Sequence, residues 1–122
     1  MRKRLIDPNF WTNGIIGKLD YKTQLLYIGL WNLADSNGIV ENDEDRIKVS
    51  IFPYKRSPIS RNIQKLVELK KIIPYEVDKK KYLLIKNFKK WQKESHPTYS
   101  YPVPPNFQKT PEEYRKVWKP PT

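Results

Sequence analysis

Residues 57–88 read SPISRNIQKLVELKKIIPYEVDKKKYLLIKNF, and the change of period inside this stretch decides the fold. Ser57-Pro58 opens a helix over roughly 58–71, in which Ile59, Ile63, Leu66 and Val67 fall at i, i+4, i+7 and i+8 on one face. Arg61, Gln64, Lys65 and Glu68 point away from that face. The period then shortens. Ile72–Val77 and Tyr82–Phe88 are β-rich runs on either side of Asp78-Lys79-Lys80-Lys81, the pattern of an antiparallel hairpin. The tip has no glycine, so a looser turn than a two-residue Asn-Gly type is expected. Pro74 places its strand at a sheet edge or a bulge.

Upstream, Asp7-Pro8 reads as a helix start that turns Phe10 and Trp11 toward the core. Asp20 N-caps a helix to about Ala34, with Leu25, Leu26, Ile28, Leu30, Trp31 and Leu33 spread around its circumference. Gly29, inside that apolar run, implies a close approach by Trp11 or a neighbouring helix. Ser36-Asn37-Gly38 ends the helix, with Gly38 free to take positive φ. Ile39–Glu41 is a short extended piece. A helix over about 43–51 follows, with Asp43, Glu44 and Asp45 at the positive end of its dipole, Ile47 and Ile51 facing inward, and Pro53 as its stop. Helix, short strand, helix, helix and hairpin, in that order, predict an α+β fold: a three-helix core with a β-hairpin wing, the winged form of the helix-turn-helix.

Composition bounds what such a domain does. The chain has 122 residues, enough for one small domain. With 24 Lys plus Arg against 13 Asp plus Glu, its net charge is +11. Residues 1–60 hold nine basic and seven acidic side chains; residues 61–93 hold eleven and three; residues 94–122 hold four and three. The excess therefore sits on the third helix, the hairpin and the segment just after it. A footprint for a phosphate backbone has that distribution. Arg61, Gln64 and Lys65 occupy the outward start of the helix, where Arg can bond guanine and Gln adenine through two hydrogen bonds each. Lys55 and Arg56 in the preceding turn suit phosphates. Lys79, Lys80 and Lys81 at the wing tip suit phosphates or a minor-groove reach. Lys86, Lys89, Lys90 and Lys93 extend the track.

Other chemistries find little material. The absence of Cys removes thiolate sites and disulfides and suits a reducing, cytosolic compartment. A single His96 leaves almost nothing for a His-based zinc site or a Ser-His-Asp triad. Three consecutive acidic residues on a helix diverge, so helix-dipole stabilisation accounts for Asp43–Asp45 better than a nuclease metal site does. The longest apolar run is far too short to span a bilayer. We read the chain as a non-enzymatic protein without a cofactor. Residues 1–93 form the domain and residues 94–122 a Pro- and aromatic-rich arm; residues 89–109 read as a linker or arm of polyproline character, not core, and a short helix follows over 110–118. Fold-back of Tyr99, Tyr101, Phe107, Tyr114 and Trp118 on the core, and docking of the arm on a second subunit or another protein, are both open.

Several segments, in order, resemble a known family. Ile6-Asp7-Pro8-Asn9-Phe10-Trp11 resembles the I-x-P-x-F-W opening of phage replisome organisers. Residues 24–38 are similar to their R-L-L-F-I-G-L-W-x-x-A-D-x-x-G helix, and Arg46-Ile47-Lys48 through Phe52-Pro53-Tyr54 to R-I-K-x-x-x-F-P-Y. Tyr75-Glu76-Val77 and Tyr82–Phe88 resemble the wing strands. The pattern differs at Lys71 and Lys79, where family members usually have glycine, and at Trp91, where they have histidine. The family is related to the N-terminal domain of DnaD-type primosomal proteins. The resemblance, over about residues 6–93, implies binding of double-stranded DNA at a phage replication origin in the host cytoplasm, self-association as a homodimer or larger assembly, and recruitment of the host helicase or its loader. A winged-helix transcriptional regulator would present the same DNA-contacting residues.

Overall fold

In the computed structural model, residues 1–105 are described. The chain folds as α1 (Asn9–Thr12), a 3-10 turn (Ile16–Lys18), α2 (Tyr21–Leu33), β1 (Ile39–Glu41), α3 (Glu44–Ile51), α4 (Ser60–Glu68), β2 (Ile72–Val77), β3 (Lys80–Ile85) and α5 (Phe88–Trp91). It is an α+β fold with one antiparallel sheet of order β1-β3-β2. Register pairs Ile39 with Leu84 on one side of β3 and Ile72 with Ile85 on the other. Pro74 lies on the edge strand β2, where its missing N–H costs the sheet nothing. Among the described residues no helix is long and apolar enough to cross a membrane. The anticipated helix over 110–118 lies outside the described residues.

Alternation along the strands gives the sheet two apolar faces. Val40, Ile72, Leu83 and Ile85 join Leu26, Leu30, Trp31, Ile47, Ile59, Ile63 and Leu66 in the main core. Ile39, Tyr82 and Leu84 form a second cluster on the outer face, covered by Tyr75, Val77, Tyr101 and Val103. The central strand is thus buried on both sides, which is why Tyr82–Ile85 is an unbroken apolar run.

The cover on the outer face corrects the reading of the arm. Residues 94–105 are not a free linker: Pro102 is buried, and the arm is tied down by backbone and side-chain bonds. Asp35 is the anchor. Its Oδ1 accepts from the N–H groups of Asn37 (2.9 Å) and Ile39 (3.1 Å), and its Oδ2 from Ser100 and Tyr101 (both 3.0 Å). Thr98 N–H donates to Ser36 Oγ (2.7 Å), and Tyr75 O–H donates to the Pro102 carbonyl (2.5 Å). The N-terminal strap is fastened beside it: Arg2 and Arg4 both bond Glu94, and Gln92 holds the Leu5 backbone through both ends of its amide.

Three local expectations also change. Phe10 packs on the core, stacked with Tyr27 and edge-on to Trp31, but Trp11 is 63% exposed. The third helix is shorter than 58–71. Lys70 takes a left-handed φ of 58°, with its N–H on the Val67 carbonyl (2.9 Å) and that of Lys71 on Leu66 (2.9 Å). This is a Schellman stop with lysine where glycine is usual. The hairpin turn is tight rather than loose. Val77 pairs with Lys80, so only Asp78 (φ 50°) and Lys79 (φ 66°) remain in the loop, both at the positive φ of a type I′ turn. The strand register imposes that geometry on residues that disfavour it. Gly38 takes the expected positive φ, 84°. A neighbouring helix, not Trp11, crowds Gly29, through Ile51 of α3.

Candidate nucleic-acid interface

Placement of α4 follows from apolar burial on one face and polar ties at its start. Ile59 and Leu66 are fully buried, and Ile63 nearly so. Asn62 Nδ2 donates to Thr23 Oγ1 of α2 (2.9 Å), and Ser60 Oγ donates to Glu44 of α3. The loop before the helix is held from below: Lys22 Nζ donates to the Pro58 carbonyl (2.6 Å) and to Ser57 Oγ (3.1 Å), and Lys48 Nζ donates to the Lys55 carbonyl (2.5 Å). Two lysines thus act as internal struts, leaving Lys55 and Arg56 exposed at the surface.

Arg61, Gln64 and Lys65 are all exposed on the outward face of α4. Arg61 and Lys65, four apart, are neighbours along one side, with Gln64 beside them. With Lys55 and Arg56 they form one cationic group along the helix and its leading loop. None of the five makes a salt bridge to a described carboxylate. Tyr54, 95% exposed in the same loop, adds an aromatic ring that charge counting missed. The acidic trio sits at the start of α3: Asp43 caps the helix by accepting from Arg46 N–H (3.2 Å), Glu44 holds Ser60, and Asp45 lies in the first turn.

The other cations divide. Lys79, Lys80 and Lys81 are exposed at the wing tip. By strand alternation Lys81 shares the helix-side face with Leu83, while Lys80 shares the arm side with Tyr82. Both lysines border a shallow depression with Glu41 and Asp43, which lowers the positive potential on that flank. Lys86 lies just past the far end of β3, six residues and about 20 Å from Lys80 at the ordinary rise of a strand. There it joins Lys70 and Lys71 around a cavity. Lys89 reaches over the Tyr99 ring (4.8 Å to its centre) and donates to its hydroxyl (3.3 Å), so it belongs to the arm contact. Lys90 lies over Trp91 (5.1 Å). The expected single basic track is therefore three groups: α4 with its loop, the wing tip, and the far end of the hairpin.

Comparison with protein-family models, with curated proteins and with solved structures finds no match.

Proposed function

We propose that this chain is a double-stranded DNA-binding module of the winged-helix type. α3, α4 and their connecting loop form the helix-turn-helix, and the β2–β3 hairpin forms the wing. The observation that carries the reading is the outward face of α4: Arg61, Gln64 and Lys65 are exposed and, among the described residues, free of carboxylate partners, on a helix whose other face is locked into the core. Such a helix can enter a major groove without unfolding anything. Lys55 and Arg56 would hold the phosphates beside it, and Lys79–Lys81 those beside the wing. On the family resemblance, the DNA is a phage replication origin and the working form is a homodimer or larger assembly that brings in the host helicase or its loader. A transcriptional regulator would use the same face.

The test is duplex binding across a salt series. The logarithm of affinity should fall with the logarithm of salt by roughly 0.9 per phosphate neutralised. Arg61→Ala should cost about 1–3 kcal/mol on the preferred sequence and relax preference at one base pair, while alanine at Lys79, Lys80 and Lys81 together should weaken all duplexes alike. An affinity that does not change with salt refutes the proposal. Selecting bound duplexes from a random pool and mapping them to the source genome separates an origin from promoters.

A further inference from the structure

One cavity among the described residues lies past the C-terminal end of α4, at the end of the hairpin opposite the wing tip. It encloses about 380 Å³, within the range of sites that take a drug-sized molecule or a bulky side chain. Phe10, Tyr27, Trp31, Leu69, Ile85 and Phe88 build its wall. Protein interiors leave few such voids, and an apolar one at the surface exposes area that a partner can cover. The wall is fixed in advance. Arg2 and Asn32 exchange two hydrogen bonds (2.8 and 2.6 Å), and Gln92 holds Leu5, so the N-terminal strap that closes one side is pinned to α2 and α5.

Charge at the mouth is one-sided. Lys70, Lys71 and Lys86 line it, and none of them pairs with a described carboxylate. The single acidic residue of the lining, Asp7, already accepts from Asn9 N–H (2.8 Å). An apolar socket under a lysine rim selects a ligand that is apolar at one point and anionic around it. We infer that the cavity is a docking site for an acidic peptide segment of a partner protein, with one aromatic or branched aliphatic side chain seated against Phe10 and the exposed Leu5, Ile15 and Trp91, and its carboxylates meeting Lys70, Lys71 and Lys86.

A nucleobase fits the same place less well. Its polar edge needs partners within the socket, but Gln92 spends both ends of its amide on Leu5, Asn13 Oδ1 is taken by the N–H groups of Ile15 and Ile16 (2.9 and 3.0 Å), and Asn9, Asn87, Lys70 and Lys86 are exposed at its edge. A hydrocarbon side chain asks for none. The socket opens past the C-terminal end of α4, with Lys70 about 14 Å along the helix from Arg61 and the wing tip a strand's length away, so a peptide here and a duplex on the outward start of α4 do not exclude each other. The inference stands independently of the DNA reading.

The probe is a set of fluorescein-labelled peptides of Asp and Ser, each with a single central Phe, Leu or Ile, and a control with Ala there, read by anisotropy. At least one apolar anchor should bind saturably and about tenfold more tightly than the Ala peptide. Lys71→Glu with Lys86→Glu should remove that advantage. Leu69→Trp, which fills the socket and leaves the charges in place, should do the same, and thermal melting reports whether each variant is folded. The indole N–H signals of Trp31 and Trp91 should shift on titration. Saturating duplex should leave peptide affinity within about twofold. Four results overturn the inference: no peptide binding below about 1 mM; equal binding of the Phe and Ala peptides; displacement by duplex; or an oligothymidylate binding the same socket more tightly than any peptide.

Discussion

Gly29→Ala tests the packing that sets α3, and through it the loop and α4, in place. A methyl at Gly29 would lie 2.7 Å from Ile51 Cδ1, 2.8 Å from Cγ2 and 2.9 Å from Cγ1. All three distances are shorter than any ordinary carbon contact. Ile51 cannot swing clear, because every branch of the side chain is involved and a β-branched residue in a helix has essentially one rotamer. Overpacking of this kind costs about 1–3 kcal/mol. Against it stands the helix propensity gained on replacing Gly with Ala, about 1 kcal/mol. The net expectation is a loss of about 0–2 kcal/mol, or up to roughly 10 °C in melting temperature for a domain of this size. Ile51→Ala deletes the obstructing atoms, so the double variant should be more stable than the sum of the two single changes predicts, by about 1–2 kcal/mol. Urea denaturation of the four proteins in the cycle measures this directly. Strict additivity, or a Gly29→Ala protein clearly more stable than the parent, would show that α2 and α3 are not in the contact described.

Lys79→Gly relieves a left-handed residue in the hairpin turn; it should raise stability by about 1 kcal/mol while weakening duplex binding, and chemical denaturation beside a binding titration separates the two effects. Asp35→Asn should destabilise by about 1–3 kcal/mol. Burial pushes the Asp35 carboxyl up against the pull of four backbone N–H groups, and the amide escapes that cost. It also turns its NH₂ toward N–H donors, so the orphaned donors win, and limited proteolysis should cut residues 94–105 faster. For Glu94, burial raises the carboxyl, but hydrogen bonds from Ser36, Arg4 and Arg2 outweigh it and hold it below the usual range. The stability it contributes is complete above the unfolded carboxylate pKa of about 4.3 and is lost as pH falls through the lower folded value. Glu94→Gln should therefore flatten the acid limb of a stability profile below about pH 4.5 and leave its slope near neutrality unchanged.

The order and type of elements were legible because the periods are clean. The 3.6-residue stripe Ile59, Ile63, Leu66, Val67 gives way to β runs at Ile72, and both survive in the structure as α4 and β2. Boundaries were less legible, for one recurring reason. Turn chemistry was read from the presence of glycine, while the chain uses Lys70, Asp78, Lys79 and Asn87 at positive φ instead. Tertiary register decides those positions: once Ile72–Val77 must face Lys80–Ile85, two residues are all that remain for the turn.

The arm shows the deeper limit. Its prolines rule out a regular strand or helix, a pattern that reads as exclusion from the core. Proline forbids ladder hydrogen bonds, not burial, and an irregular segment can cover a sheet if something satisfies its N–H groups. Asp35 does so for Ser100 and Tyr101. The signal was present in Tyr82-Leu83-Leu84-Ile85: four apolar residues in a row on a central strand require cover on both faces, and α2, α3 and α4 supply only one. The same oversight hid the cavity. Summing Lys86 with the wing lysines treats charge as a property of a segment, but a strand of six residues carries its two ends to different neighbourhoods. At one end the lysines stand on a bare turn beside Glu41 and Asp43; at the other they ring an apolar socket closed by the N-terminal strap. Equal charges at the two ends of one hairpin are thereby given different surroundings, one set beside carboxylates on a bare turn and the other beside apolar side chains.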